Sequence, residues 1–105
     1  MTMSDTLQTL GILGSGQLGR MIAIAAAQLG IRSVVFAPDA AGSPAADVAH
    51  AIITAPYDDK AALDAFALQA DAVVTEFENV PADTMAYLGQ SALVCPGADA
   101  LRVAQ

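Results

Sequence analysis

Residues 11–21 read GILGSGQLGRM, and the fold follows from how this stretch is read. The apolar run at residues 10–13 has the composition of a buried strand. Gly14 ends it, and from Gln17 the apolar residues recur at helical spacing. A strand, a glycine turn and a helix make the opening half of a parallel βαβ unit. Each glycine has a job in such a loop. Gly14 allows the tight exit, Gly16 clears space where a ligand would approach, and Gly19 lets the helix lie close to the sheet. The helix start adds N–H groups and a partial positive charge that can receive an anion or a polar ligand atom.

Outward from this point the pattern repeats. The spacing predicts a helix over residues 17–29 with Leu18, Met21, Ile22, Ala25 and Leu29 on its inner face, stopped by Gly30. A second strand covers 33–36 and ends at Pro38-Asp39. Residues 40–44 read as a surface loop, 45–49 as a helical turn and 50–54 as a third strand. Asp58 or Asp59 can cap a helix running to Ala70, with Leu63, Phe66, Ala67 and Ala70 inward. Residues 72–75 form a fourth strand, Pro81 opens a helix packed through Met85 and Leu88, and 92–95 form a fifth strand. Residues 98–105 begin another helical pattern.

Strands joined through single helices must run parallel, with right-handed crossovers. The expected fold is therefore α/β: a doubly wound, mostly parallel five-stranded sheet with helices on both faces. The strands read as apolar throughout, as expected when both faces are covered. Ligands of such sheets bind at the carboxyl ends of the strands, which here carry the loops at 14–19, 37–42 and 76–81.

Composition narrows the function classes. The chain has 105 residues, 55 % of them hydrophobic, with eleven acidic and four basic residues and a formal charge of −7. Arg20, Arg32, Lys60 and Arg102 are scattered, so there is no basic face for a nucleic-acid backbone or an acidic membrane. No apolar run approaches the roughly 20 residues needed to span a bilayer, and the N-terminus has no secretory pattern. One cysteine, Cys95, fits a buried thiol in a cytoplasmic protein.

A dinucleotide site would require a carboxylate closing the second strand, about 20 residues beyond the glycines. Here the strand ends Phe36-Ala37, and the nearest acid, Asp39, lies beyond a proline. Arg32 precedes the strand, where it is of no use to a 2′-phosphate. Gln17 and Leu18 instead place an amide and a large apolar group within the loop. The run TEFENVP at 75–81 leaves the fourth strand, which should lie beside the first, and holds the only two glutamates, Glu76 and Glu78. A carboxylate there can accept hydrogen bonds from ribose hydroxyls or an amino group. Glu76 is preferred because it is nearer the strand end, and Asn79 can brace the loop or cap the next helix. The plainer alternative has these glutamates holding loop N–H groups or facing solvent. No nucleophile–base arrangement and no metal-ligand cluster is present in the sequence. His50 and Cys95 read as structural, Met21 and Met85 as core, and Asp58-Asp59 as a helix cap.

GILGSGQLGRMIAIAAAQLGI at 11–31, TEFENVP at 75–81 and VCPGADALRVAQ at 94–105 together resemble the amino-terminal domain of the N5-carboxyaminoimidazole ribonucleotide synthetase family, the ATPase subunit of phosphoribosylaminoimidazole carboxylase. The resemblance covers essentially the whole chain. It implies a Rossmann-like pre-ATP-grasp domain over residues 1–105, with the ATP-grasp and C-terminal domains absent from this chain. It further implies a cytoplasmic enzyme of purine biosynthesis that uses ATP and Mg²⁺ to carboxylate 5-aminoimidazole ribonucleotide with bicarbonate, a homodimer when full length. Gly14, Ser15, Gly16, Gln17, Leu18, Glu76 and Asn79 would contact the ribonucleotide, with Asp39 and Glu78 as further candidates. The family often has an acidic residue before the proline that here follows Ala37, so that contact is missing or displaced to Asp39. Catalytic and Mg²⁺-binding residues would lie beyond position 105, so the piece is expected to be inactive alone and to bind neither ATP nor Mg²⁺ strongly. A dinucleotide-binding domain and a non-catalytic interaction module are the competing readings.

Overall fold

Apolar strand residues alternate between two faces, and in this protein both faces are buried. The computed structural model describes residues 8–75 and 80–96, the side chains of 95 and 96 excepted. In chain order the elements are β1 (Thr9–Leu13), α1 (Gln17–Gln28), β2 (Arg32–Ala37), β3 (Ala51–Thr54), α2 (Lys60–Gln69), β4 (Ala72–Thr75), α3 (Ala82–Leu88) and β5 (Val94–Pro96). All neighbouring strands pair in parallel, in the order β3-β2-β1-β4-β5. Four strands of four to six residues form the body of the sheet, and three-residue β5 extends one edge.

Ile12, Val35, Ala37 and Val74 pack on one side with Ile22 and Ala23 of α1. Leu13, Val34, Phe36 and Val73 pack on the other with Leu63 and Phe66 of α2 and Leu88 of α3. Successive residues of one strand thus feed opposite layers, the period of two expected of a strand. Phe36 and Phe66 meet with ring centroids 5.4 Å apart and planes tilted by 50° at the centre of the second layer. Gly11 makes room for them: a Cβ there would lie 2.8 Å from Phe66 Cζ and 3.0 Å from Ala70 Cβ.

Several local signals act as read from the sequence. Gly30 closes α1 with φ +75°. The Ile31 N–H donates to Ala26 O and the Gly30 N–H to Ala27 O, the paired bonds of a Schellman cap. Asp59 caps α2, its carboxylate accepting from the Ala62 N–H at 3.0 Å. Residues 45–49 make the expected helical turn, with Ala49 N–H donating to Ala45 O.

Other expectations are corrected. The inner face of α1 is Gly19, Ile22, Ala23 and Ala26, while Met21 and Leu29 are each about half exposed. The helix lies so close to β1 that a Cβ on Gly19 would sit 3.1 Å from the Gly14 carbonyl oxygen. Beside Ile22, only small side chains fit beneath it, and Met21 and Leu29 turn to the rim. The loop at 40–44 is no plain surface loop, because Ala40 and Ser43 are buried, with Ala45 beside them. Ser43 holds its form, its hydroxyl donating to Ala40 O and accepting from the Ala46 N–H. β3 is not buried throughout: Ile52 and Thr54 are exposed, because α1 packs on β1 and β2 and stops short of this edge strand. β5 includes Pro96, opposite Thr75. An edge strand tolerates the missing N–H. The candidates Glu76, Glu78 and Asn79, the Cys95 side chain and the pattern at 98–105 lie outside the described residues.

Asp71 ties the start of β1 to that of β4. Its carboxylate accepts from the Gln8 and Thr9 N–H groups, each at 2.9 Å. The Thr9 bond first, then the Gln8 bond, holds this carboxyl below its ordinary value of 3.8. A lowered folded-state value means the contribution is present above the unfolded value and is lost as pH falls through the folded one. Hydrogen-exchange protection of the Gln8 and Thr9 amides is therefore expected to fall as pH drops below that ordinary value. Asp71→Ala should abolish the protection at every pH, and a pH-independent wild-type profile would refute the assignment.

Candidate functional site

At the carboxyl edge of the sheet the glycine loop meets Asp39, one of the sequence candidates, around Gly14. This residue leaves β1 at φ +122°, a backbone conformation L side chains rarely adopt, and its N–H donates to Phe36 O at 2.9 Å. Ser15 is almost fully buried, and its hydroxyl donates to Asp39 Oδ1 at 2.6 Å. The Ser15 carbonyl accepts from the Ala45 N–H at 3.4 Å. Three bonds thus staple the glycine loop to the β2 end and to the segment after it.

Gly16 is the N-cap of α1, at φ −78° and ψ −163°. That is extended backbone open to any residue, so Gly16 is not needed for conformational freedom. No side chain caps this helix end and no acidic residue lies in its first turn, so its partial positive charge faces the edge without a neighbouring counter-charge on the helix. Gln17 is exposed there. Leu18 is half-buried against the α1-side core and has a packing role whatever else it contacts. Gly19 acts as expected, through close helix–strand approach.

β4 lies directly beside β1, with Thr75 in register with Leu13. Thr75, the first residue of TEFENVP, therefore lies next to the residue that enters the glycine turn. At the end of β2, Ala37 is fully buried and offers no carboxylate, while Asp39 is exposed and turned to Ser15. The sequence marked Asp39 as the nearest acid and a further candidate contact; its bond to Ser15 depends on the turn in which the Ala40 N–H donates to Ala37 O.

A groove of about 440 Å³ lies elsewhere, lined by Tyr57, Lys60, Asp83 and Tyr87 among others. Two of its polar groups are engaged with near neighbours: the Tyr87 hydroxyl donates to Asp64 at 2.8 Å, and the Lys60 ammonium lies 5.5 Å from the Tyr87 ring centroid. Convergent polar groups mark a ligand site better than volume does, and here they meet at the glycine loop. Among the described residues no group of three His, Cys, Asp or Glu side chains could hold a metal ion, and no helix is long and apolar enough to cross a membrane.

Residues 7–105 match the family model of the ribonucleotide synthetase preATP-grasp domain. The chain belongs to the N5-carboxyaminoimidazole ribonucleotide synthetase family, as a preATP-grasp domain. The N5-carboxyaminoimidazole ribonucleotide synthase of Brucella melitensis is 47 % identical over 97 residues, which are 92 % of this chain and 26 % of that protein. An N5-carboxyaminoimidazole ribonucleotide synthetase solved as its ADP complex superposes with a TM-score of 0.77 at 41 % identity, over 83 % of this chain and 23 % of that one. The Aspergillus clavatus enzyme, solved with ADP and 5-aminoimidazole ribonucleotide, gives a TM-score of 0.71 at 28 % identity, over 92 % of this chain and 26 % of that one. This preATP-grasp domain therefore spans about a quarter of the length of such relatives.

Proposed function

We propose that this domain forms the ribonucleotide side of an ATP-dependent ligase that carboxylates 5-aminoimidazole ribonucleotide with bicarbonate, in purine biosynthesis. The observation that carries the reading is the stapled glycine loop beside the end of β4, in a chain of this family. In this reading Gly14, Ser15, Gly16, Gln17 and Leu18 shape one wall of the pocket. Glu76 accepts hydrogen bonds from the ribonucleotide, Asn79 braces the loop, and Glu78 and Asp39 are secondary. The domain works by binding and orienting the substrate and contributes no catalytic group. A solved relative holds ADP and 5-aminoimidazole ribonucleotide together, which supports this choice of substrate.

ATP and Mg²⁺ belong, in this reading, to the ATP-grasp part that follows residue 105 in the complete, homodimeric enzyme. The −7 charge of the chain opposes a polyphosphate, which supports that placement. No step of phosphoryl transfer is assigned to this chain.

In the complete enzyme carrying this domain, Glu76→Ala removes a charge-assisted hydrogen bond, worth about 1.5–3 kcal/mol. It should raise the KM for the ribonucleotide by roughly 10- to 100-fold. Gly16→Val should raise the same KM by obstruction while leaving the melting temperature close to wild type. Unchanged kinetics in both would favour an interaction module. Saturable NADH binding without ribonucleotide binding would favour a dinucleotide domain.

A further inference from the structure

The glycine spacing suggests a phosphate cradle, but Asp39 changes the polarity of the loop. A serine hydroxyl has one proton to donate and two lone pairs to accept with. In this domain the proton of Ser15 is directed at Asp39 Oδ1, at 2.6 Å, a short distance typical of a hydroxyl donating to a carboxylate. The Ser15 carbonyl is held by the Ala45 N–H, and the Gly14 N–H by Phe36 O, so the backbone that presents the hydroxyl is fixed and Asp39 sets where its proton points. What remains for a ligand at this point is an acceptor beside a negative charge.

We propose that Asp39 is a positioning residue that fixes Ser15 as a hydrogen-bond acceptor, so that the loop at this point takes a donor-bearing group of the ligand and not a phosphate. This rests on the ribonucleotide reading above and deepens it. The matching parts of such a substrate are its ribose hydroxyls and its amine, and its phosphate is oriented away from Ser15. Asp39 does this from beyond Pro38, because the end of β2 itself is the buried Ala37.

The test is a double-mutant cycle in the complete enzyme carrying this domain, read on 5-aminoimidazole ribonucleotide. Ser15→Ala and Asp39→Ala should each raise KM by roughly 10-fold, the scale of one charge-assisted hydrogen bond, with the loss on KM and not on kcat. Because Asp39 acts through Ser15, the double variant should be no worse than Ser15→Ala alone. Asp39→Asn keeps an acceptor oxygen and should restore most of the loss. Multiplying effects would overturn the proposal in favour of direct contact between Asp39 and the ligand, and a wild-type KM in Asp39→Ala would overturn it outright.

A second measurement needs no substrate. In the unliganded protein, amide exchange at Ser15 and Gly16 should accelerate about 10-fold in Asp39→Ala, on the same energetic scale, and return towards wild type in Asp39→Asn. Unchanged exchange in Asp39→Ala would refute the positioning role even if the enzyme proved to use another substrate. Absence of ribonucleotide turnover in the wild type, with the exchange result as expected, would overturn the substrate reading and the ligand-polarity part of the proposal while leaving the brace standing.

Discussion

Phe66→Ala is expected to destabilise the fold by about 3–5 kcal/mol, the range for removing a buried phenylalanine. For a small domain whose whole stability is roughly 5–15 kcal/mol, this is the most damaging single truncation described for this protein. Phe66 is fully buried, lies against Phe36 at 5.4 Å between ring centroids and fills the space above Gly11. The loss combines the transfer free energy of the ring with a cavity that β1 and β2, held in register on both sides, cannot collapse to close. The same geometry predicts a coupling. Gly11→Ala alone puts a methyl 2.8 Å from Phe66 Cζ, and the ring has no exit, so overpacking should cost about 1–3 kcal/mol. In the Phe66→Ala background that methyl enters vacated space, and its cost should fall to near zero or reverse sign. Urea unfolding of the four proteins in the cycle measures this directly, and strictly additive losses would contradict the packing described.

Gly19→Val is the second large effect, because it strikes fold and site together. Its Cβ would lie 3.1 Å from the Gly14 carbonyl oxygen and 3.4 Å from Ile12 Cγ2. The nearer atom belongs to the backbone of the glycine turn, and valine in a helix is confined largely to one rotamer. The helix must therefore move off β1, at about 1–3 kcal/mol, and Gly14 moves with it. Amide protection of Gly14, which rests on its bond to Phe36 O, should drop along with the denaturation midpoint. Gly16→Val provides the contrast: its backbone is extended, so it should leave that amide protected. Equal behaviour of the two variants would show that close approach at Gly19 does not hold the turn.

The two cases show which kinds of signal the sequence carries plainly. Strand and helix order, the Gly30 stop and the Asp59 cap follow from local backbone chemistry, and each is visible within a few residues. The inner face of α1 was not legible in this way. Ranking side chains by hydrophobicity points to Leu18, Met21 and Leu29, whereas the distance between helix and sheet selects Gly19, Ala23 and Ala26. Burial of Ala40 and Ala45 likewise depends on the loop folding back over α1's layer, which small residues permit but do not announce.

By itself, then, the sequence determined the alternation of elements, the parallel sheet they imply and a glycine loop at its carboxyl edge. The match of GQLGRM and EFENVP to one family was also readable in the chain. These depend on periodicity, caps and residue identity, all short-range properties. Tertiary structure alone decided which face of α1 turns inward and how exposed edge strand β3 is. It also brought Asp39, twenty-four positions from Ser15, to within 2.6 Å of its hydroxyl. Contacts of that kind are set by the packing distance between layers and by the path of a turn, and neither is written in the spacing of residues along the chain.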